Sequence, residues 1–405
     1  MLLLNNAKDF TPCAHTKITI YKTMKNFQFY NPVKIIFGKG QIATLAHQVP
    51  KDARILLTYG GGSIFKNGVY DQVKAALDGY NIVEFGGIEP NPSYETLLKA
   101  VELGRAENVD FLLAVGGGSV IDGTKFIAAA IPCTGDAWDM IVQKNNYTSA
   151  LPIGTVLTIP ATGSEMNCVA VISRYDTQEK VGMGNPLLFP KFSILDPQTT
   201  FSLPQRQIAN GIADAFTHVI EQYITYPVNA VTTDAMAEAI LLTLTAEGPK
   251  MMANPSDYDA AANVMWAATI ALNGLLSTGV PTDWATHLIA VELTALHGID
   301  HARTLATIMP HLLEIKKEAK REKLIQYARR VWHLRDSDDA LVDAAIQKTT
   351  EFYESLGIPT KISAYGLGHD TIDKIVERLE ARGKNYGEHA DITPAMVRQI
   401  LERSL

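Results

Sequence analysis

The chain of 405 residues is long enough to form two domains with large hydrophobic cores. Its net charge of −7 argues against a nucleic-acid-binding surface, and no apolar run reaches the ~18 residues that a membrane helix requires. The hydrophobic fraction of 47% and three widely separated cysteines are typical of a globular protein in a reducing compartment, so we predict a cytoplasmic protein without nucleic-acid or membrane partners.

The first 23 residues show no periodic pattern, and Met24 immediately precedes the first patterned segment. We therefore predict that residues 1–23 form an N-terminal tail without fixed structure, or an overlong start that does not belong to the native protein.

From Val33 onward, short β-branched runs alternate with helical patterns, which predicts βαβ units and a mainly parallel sheet. Runs that are apolar on both faces, such as Phe111 to Val115, are typical of strands that helices cover on both sides. The predicted strands are Lys34–Phe37, Arg54–Tyr59, Tyr80–Phe85, Phe111–Val115, Thr155–Ile159 and Phe192–Leu195.

The pattern changes after Pro197, because helical periodicity continues from Leu203 to the C-terminus with almost no strand-like alternation. We predict an α/β domain over residues 24–202 and an all-helical domain over residues 203–405.

One glycine-rich loop, Gly116 to Ser119, follows a predicted strand and leads into a predicted helix. Glycine lets a ligand approach the backbone, and the start of the helix offers unpaired N–H groups to a pyrophosphate. The loop lacks the G-x-G-x-x-G fingerprint, because Ile121 occupies the place of the third glycine. A plain tight turn is the alternative interpretation.

An earlier loop, Gly60 to Gly62, follows the second strand at a position that suits the adenosine ribose. NAD sites usually place an acid there, whereas this loop has no acid and is followed by Ser63 and Lys66. We therefore predict NADP(H) in preference to NAD(H), unless Lys66 is only a solvated side chain. A third loop contains Thr158, Thr162, Ser164 and Asn167. Their hydroxyl and amide groups could hydrogen-bond a ribose or a carboxamide, or they could occur in the loop only because they favour turns.

Asp214 and His218 are four residues apart, so they share one face of a predicted helix. Their neighbours are apolar, and a buried carboxylate needs a partner. His287, His297 and His301 follow within fifteen residues of one another. One carboxylate and two or three imidazoles could converge on one Zn²⁺ or Fe²⁺ ion, although a pair spaced like Asp214 and His218 is more often a surface contact.

Several of these motifs occur together in the chain and in a fixed order. They are Phe37 to Gly40, Gly86 to Pro92, Gly116 to Ser119, Pro160 to Ser164, Gly211 to His218, and His287 to His301. From about Asn26 to its C-terminus, the chain thereby resembles the iron-containing (group III) alcohol dehydrogenase family, most closely its NADP-dependent aldehyde reductase and butanol dehydrogenase-like branch.

This resemblance implies a Rossmann-like dinucleotide-binding domain and an all-α metal-binding domain, in a dehydroquinate synthase-like architecture, and it implies a homodimer. The implied ligands of one divalent metal are Asp214, His218, His287 and His301. The implied cofactor contacts are Gly61, Ser63, Asn91, Gly116, Gly117, Gly118, Ser119, Asp122, Thr158, Asn167 and Lys180, to which the third loop adds Thr162 and Ser164.

The chain departs from the resemblance at Val291, where relatives often carry a histidine credited with moving the proton. We predict that water, a cofactor ribose hydroxyl or His297 delivers the proton instead. His297 precedes His301 by four residues, on what would be the same helix face.

We predict a metal-dependent oxidoreductase that interconverts short to medium aliphatic aldehydes and primary alcohols with NADP(H). A glycerol dehydrogenase-like or dehydroquinate synthase-like enzyme is the nearest alternative, but Trp284, Leu288 and Leu293 favour an apolar pocket over a polyol site. A metal-dependent hydrolase is an alternative of another class and predicts no dinucleotide binding. A non-enzymatic metal-binding helical module leaves the six predicted strands unexplained.

Overall fold

The computed structural model describes residues 23–142 and 147–405. The predicted N-terminal tail, apart from its last residue, lies outside the described residues. None of the helices in the described ranges is both long and apolar enough to cross a membrane.

The N-terminal half combines one parallel sheet with a separate hairpin. Its strands are β1 (Lys34–Phe37), β2 (Arg54–Tyr59), β3 (Asn81–Phe85), β4 (Phe111–Gly117), β5 (Ile153–Ile159), β6 (Val169–Arg174), β7 (Glu179–Gly184) and β8 (Phe192–Leu195). Six of them pair in parallel in the order β1-β8-β5-β4-β2-β3, and β6 pairs antiparallel with β7. The six predicted strands are those of the sheet, so the prediction of a mainly parallel sheet is confirmed.

Helices cover the sheet on both faces. The helices of this half are α1 (Ser63–Lys66), α2 (Val69–Ala76), α3 (Tyr94–Ala106), α4 (Gly118–Ala130) and α5 (Ala137–Val142). On β2, Ile55 and Leu57 pack in the same core as α2, whereas Leu56 packs in the core that contains α3 and α4. Because successive side chains of a strand point to opposite faces, this arrangement requires a continuous apolar run.

The C-terminal half is helical, as predicted. Its helices are α6 (Gln205–Tyr223), α7 (Val231–Ala253), α8 (Tyr258–Ala271), α9 (Ala285–His297), α10 (His301–Lys316), α11 (Arg321–Arg330), α12 (Asp338–Ser355), α13 (His369–Arg382) and α14 (Pro394–Arg403). Helix α6 is buried from Ile208 to Tyr223 and packs against α7, α8 and α10. Its near-complete burial makes it the central helix of this half.

The two halves meet where α6 approaches the end of β5. A Cβ atom added to Gly211 of α6 would lie 2.3 Å from the carbonyl oxygen of Pro160, so glycine permits this close approach. A second connection joins the loop after β5 to α8, because the hydroxyl of Thr269 donates to Glu165 Oε1 at 2.6 Å.

Candidate metal centre and cofactor cleft

Three helices bring the four predicted metal ligands together. Asp214 and His218 lie one turn apart on the buried helix α6, His287 lies in the first turn of α9, and His301 is the first residue of α10. Potential ligand atoms of Asp214, His218 and His287 lie within 4.8 Å of one another. The centroid of the His287 ring is 4.7 Å from that of His218 and 5.3 Å from that of His301. We call these four residues the ligand group.

Each member of the ligand group has a buried polar atom without a hydrogen-bond partner among the described residues. These atoms are Asp214 Oδ1, His218 Nδ1, His287 Nε2 and His301 Nδ1. Buried polar groups that stay unpaired cost free energy, which a bound cation offsets. One carboxylate and three imidazoles are ligands that suit Zn²⁺ or Fe²⁺, so the residues fit a divalent metal ion.

The protonation state of the three histidines also fits metal binding. Burial lowers the pKa of His218 and of His287 to about 4, and it lowers the pKa of His301 well below its usual value. All three imidazoles are therefore neutral near pH 7. A neutral imidazole keeps the nitrogen lone pair that a metal requires.

Glu221 is a residue of the site that the sequence reasoning missed. It is buried on α6, and its carboxylate accepts a hydrogen bond from Nδ1 of His287. Burial, with the charge of Asp283 adding to it, raises the pKa of Glu221 to about 8, and a nearby divalent cation would oppose this shift. The available signal was spacing, since Glu221 follows Asp214 by seven residues and His218 by three, which places all three on one helix face.

A cleft of about 340 Å³ runs along the glycine-rich loops to the ligand group. Asp214 and His301 line this cofactor cleft, so the metal centre and the loops share one surface. The predicted cofactor contacts that line it are Gly61, Ser63, Asn91, Gly116, Gly117, Gly118, Ser119, Thr158 and Thr162.

The glycines of the cleft leave room where a side chain would collide. A Cβ atom on Gly116 would lie 2.6 Å from Val120 Cγ2, and one on Gly118 would lie 2.5 Å from the side chain of Thr162. Gly118 begins α4, and no side chain caps this helix at Gly117. The N–H groups at the start of α4 therefore lie at the cleft edge without a side-chain cap from the described residues, as a pyrophosphate site requires.

Three other predicted contacts, Asp122, Ser164 and Asn167, lie outside the cleft lining and form a hydrogen-bonded group with a buried lysine that the sequence reasoning missed. Nζ of Lys125 donates to Ser164 Oγ at 2.8 Å and to Asn167 Oδ1 at 3.0 Å. Ser164 in turn donates to Asp122 Oδ1 at 2.6 Å. Burial lowers the pKa of Lys125 to about 8. These side chains hold the loop after β5, which carries Thr162 into the cleft.

Lys180, the remaining predicted cofactor contact, lies on β7 of the hairpin. Its Nζ donates to Asn91 Oδ1 at 2.8 Å, and Asn91 lines the cleft. Burial lowers the pKa of Lys180 to about 8, although Asp122 and Asp214 oppose the shift. The hairpin thus carries a positive charge towards the junction of the cleft and the ligand group.

Two details of the sequence reasoning are wrong. His297 and His301 do not share a helix face, because α9 ends at His297 and α10 begins at His301. His297 is exposed, its Nε2 is 3.2 Å from the hydroxyl of Thr371, and it does not line the cleft, so the geometry gives its predicted proton-relay role no support.

Leu293 is buried in a core formed with α13 and cannot line an apolar pocket, whereas the ring of Trp284 lies 5.3 Å from that of His287.

Comparison with known protein families gives matches over both halves of the chain. Residues 32–197 match the family model for iron-containing alcohol dehydrogenase, and residues 208–405 match the model for the C-terminal part of the Fe-containing alcohol dehydrogenase family.

Individual relatives match over almost the whole chain. The NADPH-dependent aldehyde reductase YqhD of Escherichia coli (strain K12) is 54% identical over 384 residues, which cover 94% of this chain and 99% of that protein. The probable NADH-dependent butanol dehydrogenase 1 of Bacillus subtilis (strain 168) is 41% identical over 388 residues, which cover 94% of this chain and 100% of that protein. A crystal structure of E. coli K-12 YqhD aligns with a TM-score of 0.93 and 53% identity, over 95% of this chain and 100% of that chain.

Proposed function

The chain belongs to the iron-containing alcohol dehydrogenase family, and we therefore propose that it interconverts aldehydes and primary alcohols with NADP(H), reducing short to medium aliphatic aldehydes. The observation that carries the proposal is the shared surface of the cofactor cleft, on which two glycine-rich loops lie next to Asp214 and His301. A hydride donor and a carbonyl group held there would be close enough to react.

In this proposal the protein binds and orients the reactants. A divalent ion held by the ligand group supplies Lewis acidity towards a carbonyl oxygen. The N–H groups at the start of α4 bind the pyrophosphate, and the hydroxyls of Thr158 and Thr162 orient the nicotinamide half of the cofactor. Trp284, packed against His287, excludes water from one side of the ligand group.

We propose NADPH as the preferred cofactor. The relatives differ on this point, since the name of the E. coli protein gives NADPH and that of the B. subtilis protein gives NADH. Gly60 to Gly62 place no carboxylate in the cleft, and Ser63 offers a hydroxyl there. Because this loop contains no carboxylate, the loop does not repel the 2′-phosphate of NADP(H). Lys66, the last residue of α1, follows Ser63 by three residues and carries a positive charge, although it does not line the cleft.

The test combines binding, turnover and metal analysis on one preparation. Fluorescence titration with NADPH, initial rates on a panel of linear aldehydes and polyols, and metal content are measured together. We expect NADPH binding, turnover of linear aldehydes and one divalent metal ion per chain. NADPH that does not bind, or turnover of polyols alone, would contradict the proposal.

We also propose a cytoplasmic homodimer with a domain boundary at residues 202 and 203. The boundary is supported by the end of β8 at Leu195 and the start of α6 at Gln205. Exposed aromatic side chains at Phe27, Phe29 and Tyr30, in the segment that precedes the edge strand β1 in the chain, support a self-association surface. Light scattering coupled to size-exclusion chromatography measures the mass, and a monomer at micromolar concentration would refute the dimer.

A further inference from the structure

The carboxylate of Glu221 accepts three N–H groups at the start of α9. It accepts from the backbone N–H of Thr286 at 2.6 Å, from the backbone N–H of His287 at 3.3 Å, and from Nδ1 of His287. Trp284, the residue before the first turn, gives α9 no side-chain cap. Glu221 on α6 therefore caps α9 from a distance and fixes the helix that carries a metal ligand.

The same contacts determine which nitrogen of His287 can bind a metal. A backbone N–H can only donate, so the two oxygens of Glu221 act as acceptors. An ionised Glu221, which a divalent cation in the site favours, can only accept, so Nδ1 of His287 then carries the hydrogen and Nε2 is left with its lone pair. Among the described residues Nε2 has no hydrogen-bond partner, so it is available to a metal ion.

The other two histidines of the ligand group lack such a partner. Nδ1 of His218 and Nδ1 of His301 have no hydrogen-bond acceptor within the described part of the chain. At the ring Nδ1, a hydrogen-bonded carboxylate is therefore confined to His287 among the described residues of this group. Hydrogen-bonded carboxylates raise the basicity of a ligand histidine and limit the rotation of its ring.

We propose that Glu221 is a positioning residue of the metal site: it fixes the tautomer and ring orientation of His287 and so strengthens the binding of a divalent ion. The inference rests on the ligand group of the proposed function, but it does not depend on which substrate is reduced. Because α6 also carries Asp214 and His218, one helix supplies two ligands and the group that orients a third.

The experiment measures metal affinity separately from activity. Zn²⁺ affinity is determined by competition with a chromophoric chelator for the full-length wild-type protein, Glu221→Gln and Glu221→Asp, and the thermal midpoint of each metal-free protein is recorded. The amide of glutamine can donate to Nδ1 and favour the tautomer that protonates Nε2. We expect Glu221→Gln to bind Zn²⁺ about 10- to 100-fold more weakly than the wild type. We expect an intermediate loss for Glu221→Asp, which keeps the carboxylate and provides the readout if Glu221→Gln does not fold.

Glu292→Gln is the matched control. Glu292 is also a buried carboxylate at α9, but it pairs with Arg378 at 2.8 Å and with Arg382 instead of with a metal ligand. We expect it to lower the thermal midpoint while Zn²⁺ affinity stays within about twofold of the wild type.

The outcomes separate this inference from the proposed function. Equal losses of Zn²⁺ affinity in Glu221→Gln and Glu292→Gln, or no loss in either Glu221 variant, would overturn the positioning role even in an active reductase. A wild-type protein that binds Zn²⁺ but reduces no aldehyde would contradict the proposed function, and a selective loss in Glu221→Gln would still support the positioning role.

Discussion

Replacing Gly211 with alanine tests how closely the two halves of the protein must approach each other. The added Cβ atom would lie 2.3 Å from the carbonyl oxygen of Pro160, whereas ordinary contacts begin at 3.4 Å. The backbone fixes the position of the Cβ atom, and the carbonyl oxygen belongs to the backbone, so neither atom can rotate away. The end of β5 and helix α6 must therefore separate by about 1 Å, three residues before the proposed metal ligand Asp214.

We expect this separation to reduce both turnover and stability. A displacement of about 1 Å between reacting groups can lower kcat by about 100-fold. In an unobstructed helix interior, glycine to alanine would instead stabilise the protein by about 1 kcal/mol. Overpacking costs about 1–3 kcal/mol, so we expect the thermal midpoint of Gly211→Ala to fall.

The assay compares kcat, the metal content and the thermal midpoint of Gly211→Ala with those of Gly248→Ala. Gly248 lies on α7, and its added Cβ atom would lie 3.1 Å from the side chain of Ile212, which can move. We expect the control to keep kcat within about twofold of the wild type, because it presses on α6 without touching β5. If Gly211→Ala had an unchanged kcat and a raised thermal midpoint, the close approach of β5 and α6 would not be required for turnover or for stability.

Four further predictions follow from the site. His287→Ala and His301→Ala should each lose bound metal and turnover while NADPH titration stays near wild type, and full metal occupancy in either variant would remove that residue from the ligand set. Gly61→Asp should reverse the preference for NADPH in kcat/KM, because its side chain meets open space in the cleft and its charge repels the 2′-phosphate, whereas an unchanged ratio would place the phosphate elsewhere. Val291→His should raise kcat near neutral pH and add a group that titrates near pH ~6.5. If the pH profile of kcat is unchanged while a deuteride isotope effect shows that hydride transfer is rate-limiting, the proton does not pass through residue 291. Because the pKa of Lys180 is lowered to about 8, Lys180 is charged below that pH and neutral above it. NADPH affinity should therefore fall as the pH rises from 7 to 9. The same pH dependence of NADPH affinity in Lys180→Met would exclude a contribution from Lys180.

The strands of the sheet could be predicted because burial on both faces requires continuous apolar runs. The run from Phe111 to Val115 is entirely buried in β4. The hairpin of β6 and β7 was missed. Strand β7 is largely half-buried or exposed and contains glutamate, lysine and glycine, whereas β6 begins with the short apolar run Val169 to Ile172. Strand β7 therefore lacks both the apolar run and the strict alternation that predict a strand, and an apolar run as short as that of β6 does not by itself distinguish a strand from a helix.

The pairing of Asp214 with His218 in the ligand group could be predicted from helical spacing, whereas the positions of His297 and His301 relative to each other could not. Gly298 has φ 66 and ends α9, which breaks the helix that the spacing between these two histidines had suggested. Lys125 was missed for a different reason. Nothing local to a lysine on an apolar helix shows that Ser164 and Asn167, far along the chain, will accept its hydrogen bonds.

The order of strands in the sheet has a consequence for how the protein is made. Strand β1 leaves the ribosome first among the strands, yet its partner in the sheet is β8, the last to be synthesised. The central strands β2 and β4 can pair as soon as they emerge, but β1 must stay unpaired until residue 195 is available. Closing so long a loop is slow, and an unpaired apolar strand is prone to aggregate. We expect nascent chains that end before β8 to bind chaperones through the segment around Ile35 and Ile36, and chains that extend past β8 to be released.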